Sequence, residues 1–261
     1  MSLKTTSQRK LTGSRLNSTN AATQAITGTT KAIFGYGYSG VSVSMTNLVS
    51  NTGTVATDTT GVGTIRHALA AAGYGTDKAI FGYGYSTSAA GNVSITNLVS
   101  NTGTVATDTT GVGTARYGPA AAGYGSDKAI FGYGNLNPGN VSMTNLVSNT
   151  GVVANDVTGV GAARSYLAAA GYGTDKAIFG YGSTGAVASV TNLVSNTGVV
   201  ATDTTGVGTA RTALASTGYG TDKAIFGYGY TTGNVSMVNL VSNTGVVATD
   251  TTGVGTSRLY L

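Results

Sequence analysis

The chain has 261 residues, 41 glycines, 2 prolines, no cysteine, and charged residues at only 9%. Without cysteine a disulfide framework, a thiolate metal site and a cysteine nucleophile are all excluded. The formal charge is +5, but ten Lys and Arg stand against nine Asp from Lys31 onward, so most of the excess belongs to the first thirty residues and nucleic-acid binding by the body is not expected.

Read from the N-terminus, residues 1–20 form a polar, basic arm carrying Lys4, Arg9, Lys10 and Arg15 with no acid. The arm has no apolar core of the signal-peptide kind, and the chain has no apolar run long enough for a spanning helix, so no membrane insertion is expected. The arm is expected to dock on a partner subunit, as the assembly arms of particles do.

From residue 21 the chain repeats. Lys-Ala-Ile-Phe-Gly-Tyr-Gly begins at Lys31, Lys78, Lys128, Lys176 and Lys223, which are 47, 50, 48 and 47 residues apart. A period near 48 marks a repeat architecture. In the last unit four strands are predicted: Ala213–Tyr219, small and apolar; Lys223–Tyr228; Asn234–Ser242, alternating; and Gly245–Thr251. Gly-Thr-Asp and Asn-Thr-Gly between them have the chemistry of tight hairpin turns. Four hairpin-linked strands per unit, five times over, predict an all-β fold, a five-bladed β-propeller over residues 21–261. Residues 21–30 are expected to supply the first blade's inner strand, with Arg258–Leu261 latching beside it.

Arg66, Leu69-Ala-Ala-Ala and Lys78-Ala-Ile-Phe-Gly fall in the order and spacing of a kelch unit, which the chain resembles over about residues 31–258. Gly82-Tyr83-Gly84 replaces the paired glycines of that family, and its late tryptophan is missing. The stretch Thr191–Gly208 (TNLVSNTGVVATDTTGVG) is similar to repeats in proteins of marine bacteriophages. That resemblance implies a structural or accessory protein of a virion, on capsid or tail, whose arm meets other virion proteins and whose propeller meets host-surface glycan. A free-standing lectin-like or protein-binding module is the alternative.

Few residues suggest chemistry. Gly-Tyr-Gly-Thr-Asp-Lys lacks the spacing and following helix of a phosphate loop and reads as a turn. One Asp per unit, as in Asp108 or Asp250, is too sparse for calcium and suits a turn hydrogen bond or an ion pair with the recurring arginines. His67 is the only histidine and has no evident nucleophile or orienting acid. No catalytic residue, metal or cofactor is therefore expected, and the protein is read as not an enzyme. What varies between units is the loop after the second strand, together with the residues just after each arginine: His67, Tyr117, Ser165-Tyr166 and Thr212. Exposed loops held by a scaffold commonly bind, so Tyr38, Tyr85, Asn135, Asn137 and Tyr230 are the candidate ligand contacts, through ring stacking and amide hydrogen bonds.

Overall fold

The computed structural model describes the backbone at Leu16–Asn17, Ala22–Ile26 and Lys31, and the whole of residues 32–261. The arm residues Lys4, Arg9, Lys10 and Arg15 lie outside the described residues. Every regular element described is a strand. β1 is Leu16–Asn17. The first unit holds β2 (Ala22–Ile26), β3 (Lys31–Tyr38) and β4 (Ser42–Val49). The second holds β5 (Ala70–Tyr74), β6 (Lys78–Gly82), the short β7 (Tyr85–Ser86) and β8 (Gly91–Asn92), and β9 (Thr96–Val99). The third holds β10 (Ala120–Tyr124), β11 (Lys128–Asn135) and β12 (Asn140–Val147), and the fourth β13 (Ala168–Tyr172), β14 (Lys176–Gly180) and β15 (Thr191–Val194). The fifth holds β16 (Ala215–Tyr219), β17 (Lys223–Tyr230) and β18 (Asn234–Val241).

Each unit holds one three-stranded antiparallel sheet in chain order, the second unit adds the separate β7–β8 pair, and β1 joins the free edge of β16. The first hairpins of the second, third and fourth units turn where the sequence placed them. Gly75 and Thr76 both take positive φ, at 58° and 67°, the pair of dihedrals that a primed hairpin turn requires. Register repeats from unit to unit: Ala22 pairs with Gly35 as Ala70 pairs with Gly82. Residues 22–26 thus supply the first unit's inner strand from the N-terminal side.

The expected fourth strand is not formed. Gly245–Thr251 and its counterparts touch the sheet only at isolated bridges, Val241 with Val247 and Val238 with Thr251 in the last unit. The reason is a side chain that takes over the ladder. Asn97 Nδ2 donates to the Ala106 carbonyl at 2.9 Å and to Asp108 Oδ1 at 2.9 Å, and Asn145, Asn192 and Asn239 do the same in their units. An amide side chain bonds a carbonyl that a strand would have bonded through backbone, and the segment keeps only scattered backbone bonds to the sheet, such as Ala248 N–H to Leu240 O and Thr251 N–H to Val238 O at 2.8 Å.

The units pack first strand to first strand, β2 on β5, β5 on β10, β10 on β13 and β13 on β16. Runs of Ala and Gly allow this close approach, and Ala70, Ala71 and Ala72 are all buried. Between each pair of units lies an apolar layer. Between the second and third it comprises Ile80, Tyr83, Phe131 and Val147 with the alanines of both inner strands. Phe81, Phe131, Phe179 and Phe226 are fully buried in these layers.

Candidate functional site

The recurring arginines, tyrosines and aspartates have to be placed first, because they decide which parts of the repeat are scaffold. Arg66, Arg116, Arg164 and Arg211 are fully buried. Each lies over a tyrosine of the unit before: Arg116 stacks on Tyr83 at 4.0 Å from the ring centroid, Arg164 on Tyr133 at 4.3 Å. Each also donates to the asparagine of the unit after, Arg116 Nη2 to Asn145 Oδ1 at 2.6 Å. An aspartate of that later unit stands 3.8 Å from Arg116 Nη1 and accepts the backbone N–H and hydroxyl of Thr114 at 2.9 and 2.6 Å. The expected role for these aspartates, turn hydrogen bonding and pairing with arginine, is what they perform. Burial pushes the arginine pKa down. Burial also pushes Asp108, Asp156 and Asp250 up, but the hydrogen bonds they accept outweigh it and hold them below the usual carboxylate range. Arginine is the side chain suited to this place, since its planar, always-charged fork stacks on a ring and donates in several directions at once.

The tyrosine under each arginine has positive φ, and Tyr36, Tyr133 and Tyr228 sit at a bulge. Pairing of β11 with β12 shifts between Gly132 and Gly134, and Tyr133 between them has φ 64°. A bulge twists the strand and re-aims one side chain. Here it turns the ring under Arg164 and lets its hydroxyl donate to the Val160 carbonyl at 3.2 Å. Burial raises the Tyr83 and Tyr133 hydroxyls to about 12.

The parts of the repeat that vary come together elsewhere. Backbone bridges join His67 to Tyr85, Tyr117 to Asn135, Ser165 to Ser183 and Thr212 to Tyr230. The loop after the second strand and the residues after each arginine are therefore one surface, not two. Along it runs a chain of ring contacts. Tyr38 meets His67 at 5.1 Å between centroids, His67 meets Tyr85 at 5.5 Å, and Tyr85 meets Tyr117 at 6.4 Å. Tyr117 then meets Tyr166 at 5.8 Å and Tyr166 meets Tyr260 at 6.0 Å. The rings are inclined to one another by 51–84°, the tilted and edge-to-face geometry aromatic pairs prefer. Tyr38 at the start and Tyr260 at the end are exposed. Polar groups are woven in: Asn92 Nδ2 donates to Asn135 O at 3.1 Å, while its buried Oδ1 has no partner among the described residues.

Of the five candidate contacts, Tyr38 and Tyr85 belong to this arc, and Asn135 sits against it through Tyr117. Asn137 lies out at the loop tip, where its N–H bonds Asn135 Oδ1 at 2.7 Å. Tyr230 is exposed and pairs with Thr212, apart from the chain of rings. Tyr166 and Tyr260 were not singled out as contacts, although their common place two residues after Arg164 and Arg258 was a usable signal.

His67 Nδ1 lies 2.9 Å from Ser42 Oγ, a pairing that superficially suggests a serine–histidine dyad. Burial lowers the His67 pKa, which favours the neutral ring. Ser42 is only 2% exposed, however, so an acyl substrate has no path to its oxygen, and no carboxylate among the described residues orients the ring. The described residues contain no group of three or more His, Cys, Asp or Glu that could hold a metal ion, and no helix among them is long and apolar enough to cross a membrane. No known protein-family profile matches the chain, and no curated protein matches it.

Proposed function

We propose that the protein is a five-bladed β-propeller that binds rather than catalyses, a structural or accessory component of a phage particle. The propeller reading is supported by five like sheets whose inner strands pack in succession, with one buried clamp repeated at each junction. The resemblance of Thr191–Gly208 to marine phage repeats supports the virion reading. In this reading the basic arm attaches the protein to other virion proteins, and the arc from Tyr38 to Tyr260 faces host-surface glycan.

The observation that carries the binding role is the arc itself. Identical positions in successive units hold the scaffold together, whereas the positions that differ gather on one surface and place six rings in contact. Tyrosine offers an apolar face to the C–H side of a sugar and a hydroxyl to its rim, at little entropic cost because the rings are already fixed. Two measurements test the reading. A glycan array probed with the purified chain is expected to give a restricted set of hits, and uniform silence contradicts the glycan surface. Deleting residues 1–20 is expected to abolish incorporation into particles; unchanged incorporation contradicts the anchoring arm and leaves a free-standing binding module in its place.

A further inference from the structure

The four internal junctions are one interface made four times. The earlier unit contributes a tyrosine, the glycine before it and the arginine at its end. The later unit contributes a phenylalanine, an asparagine and an aspartate. Tyr83 meets Phe131 edge-on at 5.2 Å, and a Cβ added to Gly82 would lie 2.7 Å from the tip of that ring. Tyr36, Tyr133 and Tyr181 meet Phe81, Phe179 and Phe226 in the same way.

Five units therefore leave one half-interface over at each end. In the first unit Asn47 Nδ2 already holds Asp58 at 2.7 Å and the Ala56 carbonyl at 3.1 Å. That is the assembled acceptor of the other units, yet no arginine among the described residues reaches it and Phe34 is only half-buried. In the fifth unit Arg258 stacks on Tyr228 at 4.2 Å, poised as its counterparts are. Among the described residues its guanidinium nevertheless bonds only the Thr256 carbonyl, at 3.2 Å, it remains exposed, and no phenylalanine stands over Gly227. A backbone ladder tells the same story. Gly118 donates to Ala68 O, Tyr166 to Gly118 O, Ala213 to Tyr166 O and Tyr260 to Ala213 O, at 2.8–2.9 Å. All five residues have positive φ. The buried Ala68 has no acceptor for its own N–H among the described residues, and Tyr260 O is the one rung left to receive it. The sequence agrees: arginine stands four residues before Ala70, Ala120, Ala168 and Ala215, but Ser18 stands four before Ala22.

We infer that the two half-interfaces are a single fifth junction, closed within one chain, with Arg258 donating to Asn47 Oδ1 beside Asp58 and Phe34 covering Gly227. The occupant is the chain's own end because β1 pairs with β16 and packs on β2, which ties the fifth unit to the first and makes their encounter intramolecular. Closure has a consequence for the candidate site. The missing rung, Ala68 to Tyr260, places Tyr260 beside His67 and joins the two ends of the aromatic arc into a ring. This inference rests on the propeller reading but not on the ligand, and its test uses no ligand.

Arg258→Ala, Asn47→Ala and the double variant of the full chain are compared by thermal unfolding at two concentrations tenfold apart, with mass measured by light scattering. Each single change is expected to lower the midpoint by about 3–8 °C, the double variant by no more than the larger single one, at monomer mass and independently of concentration. Additive losses, or no loss on changing Arg258, overturn the junction. Coupled losses that depend on concentration, with dimer or higher mass, overturn closure within one chain and assign the contact to a second copy.

Discussion

At the scale of residues, the most consequential choice is an arginine where a small sheet protein would normally bury an apolar side chain. Arg116 is fully buried, and its positive charge is offset by the Tyr83 face, the Asn145 carbonyl and Asp156. Removing one member of such a set strands the rest without water. Arg116→Ala should cost about 3–5 kcal/mol, read as a fall in denaturation midpoint, and Arg116→Lys should recover little of it, since lysine offers neither the flat face nor the fork. Gly82→Ala should cost about 1–3 kcal/mol, because the added methyl would enter the space of the Phe131 ring. The same residues set the pH limits. Tyr83 and Tyr133 have folded pKa values raised to about 12 against about 10 when unfolded. Their contribution to stability is complete below pH 10 and is lost as pH rises towards 12. Asp108, Asp156 and Asp250 have depressed values, so their contribution is present above about pH 4 and lost as pH falls below it. Denaturation midpoints measured from pH 2 to 12 should hold a plateau between those limits and fall on both sides. A midpoint still rising above pH 10 would contradict the burial of these tyrosines.

At the scale of elements, the sequence was most legible where chemistry is local. The Gly-Thr-Asp and Asn-Thr-Gly turns, the small inner strand and the strand carrying Phe and Tyr all lie where their residues indicate, because turn dihedrals and side-chain volume act over a few residues. The outer segment Gly245–Thr251 was read as a strand from its valines and threonines. It is not one, because Asn239 in the neighbouring strand bonds the Ala248 carbonyl at 3.0 Å, a competition between side chain and backbone that no propensity records. Asn239→Leu would remove that bond and the Arg211 acceptor together. It should destabilise the fifth unit, visible as faster amide exchange in Lys223–Tyr230 than in Lys128–Asn135. The candidate surface was half legible for a related reason. The variable loop after the second strand was visible as variation, but its bridge to the residues following each arginine depends on register across two elements. That register brought Tyr166 and Tyr260 to the surface and left Tyr230 and Asn137 apart.

At the scale of the whole molecule, the repeat divides the work. The identical positions of five units make a stiff frame, with Lys-Ala-Ile-Phe-Gly-Tyr-Gly supplying the phenylalanine and tyrosine of each junction. The unlike positions make one surface lined with aromatic rings. A frame whose junctions recur tolerates change at the loops without loss of fold, since each loop lies beyond the clamp that holds its unit. If recognition resides in the arc, changing rings there should remove binding and leave the frame intact. The direct measurement is binding of the glycan hit by wild type and by the Tyr85→Ala, Tyr117→Ala double variant, with thermal midpoints taken in parallel. The predicted result is affinity reduced at least about tenfold, or ~1.4 kcal/mol, with a midpoint within a few degrees of wild type. Undiminished affinity in a folded double variant would contradict it.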